Sequence, residues 1–92
     1  MNAYLFSPGA VVATPAALEA FEEAKEDPSV YLRRHLAGEW GEMDEFDKQQ
    51  NEDALTDGSR VFSAYMLSNG TRIWIITESD RSSTCLLLPS DY

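Results

Sequence analysis

One cysteine, one histidine and seven basic residues are all that this chain holds of the groups used for disulfide frameworks, zinc sites and nucleic-acid grips. The lone Cys85 excludes an intramolecular disulfide and leaves no zinc-ligand spacing, which fits a reducing cytoplasm. Flanked by Thr84 and by Leu86 to Leu88, it reads as an inert strand residue. The longest apolar runs are Ala10 to Ala13 and Cys85 to Leu88, far short of a membrane span, and no basic start precedes an apolar core. A soluble, cytoplasmic protein with no membrane partner is expected. There is no glycine-rich phosphate loop, and Asp44, Glu45 and Asp47 lack the glycine and twelve-residue ligand spacing of a calcium loop. No metal and no cofactor are expected. His35 has no serine or cysteine nucleophile and no orienting carboxylate near it in the sequence, and it lies in an apolar helical stripe, so it reads as a packing residue.

What the chain does hold is apolar mass and acid. Hydrophobic residues make up 43% of its 92 residues, enough for one globular core and too few for two. The net charge of −9 is confined to one stretch: from Glu19 to Asp57 thirteen acids face Lys25, Arg33, Arg34 and Lys48, while outside it three arginines balance three acids. Such polarity repels nucleic acid and anionic lipid and attracts basic protein surfaces.

The strongest local signal is a hairpin. Val61 to Leu67 runs into Ser68-Asn69-Gly70, where Asn-Gly supplies the positive φ angles of a tight turn, and Thr71 to Thr77 follows, rich in β-branched and aromatic residues. Glu78 to Ser82 then returns the chain into Ser83 to Leu88; this polar run reads as a charged turn with local ion pairing. Alternation places Trp74 and Ile76 on one face and Ile73 and Ile75 on the other, so both faces of the second strand are apolar. That suits a central strand, with helices on one face and the N-terminal segment or a second copy over part of the other.

Before the meander the pattern is helical. Thr14-Pro15 starts a helix to about Lys25, with Leu18 and Phe21 at helical spacing; Asp27-Pro28 starts a second, with Tyr31, Leu32, His35 and Leu36 as its stripe, ending at Gly38. Arg33 and Arg34 lie off that stripe, placed to neutralise part of the acidic band. Asp44 caps a third helix that ends at Gly58, with a thin apolar face of Met43, Phe46, Ala54 and Leu55. Val11 to Ala13 reads as a short edge strand. The expectation is an α+β domain over residues 1–92: two to three N-terminal helices packed on a three-stranded antiparallel meander, with an extra N-terminal edge strand.

The pattern His35, Gly38-Glu39-Trp40-Gly41, Asp47, Asn51, Ala54-Leu55 and Gly58-Ser59-Arg60, followed by Ile73 to Ser82 and Leu86-Leu87-Leu88-Pro89, resembles a family of small proteins carried on bacterial plasmids, integrative elements and phages. The resemblance supplies a setting, one in which small acidic inhibitors of CRISPR and restriction systems act by stoichiometric binding.

Three functional expectations follow. The first is a non-enzymatic acidic inhibitor, with a homodimer as one option, that mimics a phosphate backbone and blocks a basic, nucleic-acid-handling host complex without touching nucleic acid itself. Its contacts would be Glu19, Glu22, Glu23 and Glu26 on the first helix and Asp44, Glu45, Glu52 and Asp53 on the third. Carboxylates one helical turn apart stand ~5.4 Å apart, a spacing a basic groove accepts. The second is a regulatory module binding a protein through the sheet face with Trp74 and Tyr65; the third is a small enzyme with Trp40, His35, Asp47, Asn51, Glu78 and Arg81 converging in one pocket.

Overall fold

Each of the three helix starts is held by the side chain that announced it. In the computed structural model, which describes residues 4–92, Thr14 accepts the Ala17 N–H at 3.1 Å and opens α1 (Pro15–Ala24). Asp27 accepts the Ser29 N–H at 2.9 Å and opens α2 (Pro28–Leu36). Asp44 accepts the Asp47 N–H at 2.8 Å and opens α3 (Glu45–Asp57), which Gly58 closes at φ 78°. These bonds satisfy amides that have no partner within a helix.

The strands are β1 (Ala10–Ala13), β2 (Val61–Met66), β3 (Arg72–Thr77) and β4 (Ser83–Leu87), in the spatial order β1-β4-β3-β2. β2, β3 and β4 form the antiparallel meander, with Ser63 opposite Ile75 and Ile75 opposite Leu86. β1 is the added edge strand, and it pairs parallel to β4, with Val11 beside Thr84 and Ala13 beside Leu86. The sheet is therefore mixed. The connection from β1 back to β4 spans all three helices and the meander.

The helices cover one face. Ala17, Ala20 and Phe21 of α1 and Tyr31 of α2 close a core with Tyr65, Leu67, Ile73, Ile75 and Leu86, and α3 packs Ala54 against Val61 and Trp40. The N-terminal segment lies on the same side, since the Leu5 N–H bonds the Leu36 carbonyl at 2.8 Å and the Phe6 ring stands edge-on to His35 at 5.3 Å. Contrary to the expectation that this segment or a second copy covers part of the opposite face, its described residues do not lie there. Phe46, placed by its spacing on the apolar side of α3, is 70% exposed, and Asn51 takes the buried position instead.

The outer edge of β2 is closed twice. Asn51, on α3, accepts the Phe62 N–H at 3.0 Å and donates to the Phe62 carbonyl at 2.6 Å, occupying both outward backbone groups as a neighbouring strand would. Two residues on, the Ala64 N–H bonds the Trp40 carbonyl at 3.2 Å and the Glu42 N–H bonds the Ala64 carbonyl at 2.6 Å. Gly41 makes this approach possible: at φ 83°, a Cβ there would stand 2.1 Å from the Ala64 carbonyl oxygen.

Candidate functional site

The residues expected to meet a basic partner divide by what they touch. Glu19, Glu22 and Glu23 are exposed on α1, opposite its buried Ala17, Ala20 and Phe21, and their side chains make no ion pair or hydrogen bond among the described residues. Glu26 is committed to the fold: it accepts from the Tyr31 hydroxyl and from the Ser68 N–H at 2.6 Å, tying the end of α1 to the hairpin turn. The Tyr31 bond, with the Ser68 bond behind it, holds the Glu26 carboxyl below its usual range. On α3, Asp44 is the helix cap, Glu45 faces Lys48 at 3.9 Å, Glu52 accepts from the Trp40 indole at 2.9 Å and Asp53 accepts from Gln49 at 3.1 Å.

The two acidic helices stand over different strands, α1 on β4 and α3 on β2, with β3 between them. That is a separation of two strand spacings, ~10 Å. Neither arginine of α2 reaches them. Arg34 pairs with Glu39 at 3.5 Å and lies over the Tyr65 ring at 4.8 Å, while Arg33 donates to Ser29 at 3.3 Å.

Of the polar residues proposed for an enzyme pocket, His35 meets Trp40 edge to face at 6.0 Å with the Arg81 charge nearby, yet each is also committed to bonds of its own. Asn51 holds the β2 edge, Trp40 is buried against Glu52, and Arg81 donates to the carbonyls of Ser59 at 2.6 Å and Ala54 at 3.1 Å. A cation on these carbonyls caps the C-terminal end of α3, where the helix dipole favours it. The Glu78–Ser82 turn is held by these bonds and by Asp80 accepting from the Ser82 N–H at 2.9 Å, and no ion pair forms in it.

His35 is fully buried and sits in a chain of hydroxyls that sequence spacing did not reveal. Its Nδ1 meets Ser63, its Nε2 meets Thr77 at 2.9 Å, Thr77 meets Thr84 at 2.7 Å, and Thr84 donates to the Pro8 carbonyl at 2.7 Å. A carbonyl only accepts, so the order from Pro8 back to the ring is fixed, with Thr77 donating to Thr84 and His35 Nε2 donating to Thr77; with the ring neutral, Nδ1 accepts from Ser63. The ring is neutral. Burial, with the nearby Arg81 charge adding to it, pushes its pKa down to about 3. A serine bonded to a histidine is the beginning of a nucleophile, but both are 0% exposed, so no substrate reaches them. Ser63, Thr77 and Thr84 share the alternation phase of Ile73 and Ile75; hydroxyls in a buried phase require a partner, and that was the available signal.

None of α1 to α3 lies on the opposite face of the sheet; the short 3-10 turn Pro89–Asp91 packs on β3 and brings Tyr92 onto Trp74. Phe62, Trp74 and Tyr92 stack edge to face at 4.9 and 5.7 Å, and Arg60 donates to the Tyr92 hydroxyl at 3.0 Å. Tyr65 does not belong to this face: it is 1% exposed beneath the helices, and its hydroxyl donates to the Glu39 carbonyl at 2.6 Å. The sheet-face reading therefore rests on Trp74 without Tyr65.

Among the described residues no group of three or more histidines, cysteines or acids is placed to hold a metal, and no helix is long and apolar enough to cross a membrane. Cys85 is half-buried on β4, and burial raises its thiol pKa. No protein-family model, curated protein or solved structure matches the chain.

Proposed function

We propose that the chain is a non-enzymatic acidic binding protein of the cytoplasm, which blocks a basic, nucleic-acid-handling host defence complex of the CRISPR or restriction type. The observation that carries this reading is the exposed, unpartnered trio Glu19, Glu22 and Glu23 on α1, within a helical layer that holds the whole charge excess of −9. A carboxylate with a structural task resists being recruited to a partner; these three have none. The resemblance to proteins of phages and mobile elements supplies the setting. Of the eight acids expected at the contact, the α1 trio is weighted most, Glu45 and Asp53 add to it from α3, and Glu26, Asp44 and Glu52 act mainly by holding their elements.

The test is affinity capture from a defence-proficient bacterial lysate, with the wild-type chain and a Glu19→Lys, Glu22→Lys, Glu23→Lys variant as baits. The wild type should recover a nucleic-acid-binding complex that high salt or competing duplex DNA releases. The variant should bind it about 100-fold more weakly at low salt, taking on the order of 1 kcal/mol per reversed site. Its melting temperature should be unchanged, because none of the three touches the core. Salt-resistant recovery that the variant retains would overturn the proposal and favour a second reading, a protein-binding module acting through Phe62, Trp74 and Tyr92 on the sheet face opposite the helices.

A further inference from the structure

The two edges of the sheet are treated oppositely. β2 has the outward backbone groups of Phe62 and Ala64 occupied by Asn51, Trp40 and Glu42, whereas β1 has nothing beside it among the described residues. Its pairing is parallel, with the Ala10 N–H on the Ser82 carbonyl and the Thr14 N–H on the Leu86 carbonyl, so the even-numbered residues face β4. The N–H and C=O groups of Val11 and Ala13 therefore point outward. Nothing in this strand blunts the edge: its sequence is Ala-Val-Val-Ala, without charge, bulge or internal proline, and Val11 and Val12 are 47% and 51% exposed.

We propose that β1 is a docking edge for an extended, lysine- and arginine-rich segment of a partner protein, which adds to the sheet as a fifth strand. This rests on the reading of α1 as the acidic contact surface. The helix begins two residues after Ala13, lies over β4 next to this edge, and carries Glu19, Glu22 and Glu23. Main-chain bonds to Val11 and Ala13 would give register, and the carboxylates would select basic side chains. The same charge disfavours a second copy as occupant. Antiparallel β1–β1 pairing continues one sheet and leaves both helical layers on the same side, with the two α1 helices three strand spacings, ~14 Å, apart and like charges facing.

The experiment titrates the labelled full chain with three capped decapeptides, followed by NMR shifts and amide exchange. One alternates lysine with valine, one lysine with proline, and one glutamate with valine. Expected is binding of the lysine–valine peptide with slowed exchange at the Val11 and Ala13 amides, and at least tenfold weaker binding of the other two. Val11→Pro removes an outward N–H and no ladder bond, so it should cost about tenfold with the sheet intact. Val12→Lys, which leaves every backbone group in place, should weaken binding similarly by charge. Equal binding of both lysine peptides, with shifts confined to α1, would overturn the docking edge and leave the acidic surface standing. No binding by either lysine peptide would overturn both. Equal binding of the glutamate peptide, or protection of Val11 and Ala13 in a free dimer, would overturn the basic occupant.

Discussion

Acidification from pH 6.5 to 4 should destabilise this protein steeply, with His35 as the cause. The ring is held neutral with Nδ1 accepting from Ser63 and Nε2 donating to Thr77. A second proton on Nδ1 would turn the Ser63 hydroxyl from donor to acceptor and put a net charge in a fully buried site, beside the Arg81 charge. The folded pKa is about 3, against an ordinary value of 6.5, so the unfolded chain binds one proton more than the folded one between those two values. Stability from this site is fully present above pH 6.5 and is lost as the pH falls, at about 1.4 kcal/mol per pH unit, to a total on the order of 4 to 5 kcal/mol. That is comparable with the whole stability expected of a domain this small.

The carboxylates do not confuse the result. Glu26, Asp27, Asp57, Asp80 and Asp91 are held below their usual ranges by local hydrogen bonds, so their contribution disappears only as the pH falls through those lowered values. Urea unfolding at pH 7, 5.5 and 4.5 should show the wild type losing roughly 3 kcal/mol across the series. His35→Gln, whose amide can accept from Ser63 and donate to Thr77 without titrating, should lose almost none. Equal slopes for the two would show that His35 is not the sensor.

The elements of the fold were legible because their signals are local. Thr14, Asp27 and Asp44 each form the cap that their position before a helix implied, and Asn69-Gly70 joins the two strands it separates. What was not legible is long-range. β1 pairs with β4 across some seventy residues and in parallel, and no residue near Val11 records that partner. Asn51 and Phe62 are eleven residues apart, yet a helical asparagine bonding a strand backbone has no sequence pattern beyond its being a poor helix former on an apolar side. Tyr65 was misplaced for a different reason. The alternation that sets Trp74 opposite Ala64 already put Tyr65 on the other face, and aromatic character alone suggested a shared surface. The acidic stretch was plain in the chain, but which acids are bound to the fold depends on Ser68, Tyr31 and Trp40, contacts that only the packed structure supplies.

The closed edge of β2 makes Asn51 the other residue on which stability depends heavily. Asn51→Leu keeps the branched shape and puts an apolar side chain against the Phe62 N–H and C=O, which lose their partners beneath α3. Each orphaned buried group costs ~1–3 kcal/mol, so a loss of roughly 3 to 5 kcal/mol is expected in urea unfolding at pH 7. The Ala64 bonds to Trp40 and Glu42 remain, so the edge opens at Phe62 alone. Population of that opened state should make the variant associate as its concentration rises, seen as growing mass in sedimentation, while the wild type does not. Asn51→Asp separates the two bonds. Its carboxylate still accepts from the Phe62 N–H but faces the Phe62 carbonyl with an oxygen, so it destabilises at neutral pH; protonation restores the donor. In a His35→Gln background, where the histidine no longer titrates, Asn51→Asp should therefore recover stability as the pH falls from 7 to 4.5. A flat or falling curve would mean that the amide's donated bond is not what closes the edge, and that α3 is held on β2 by packing alone.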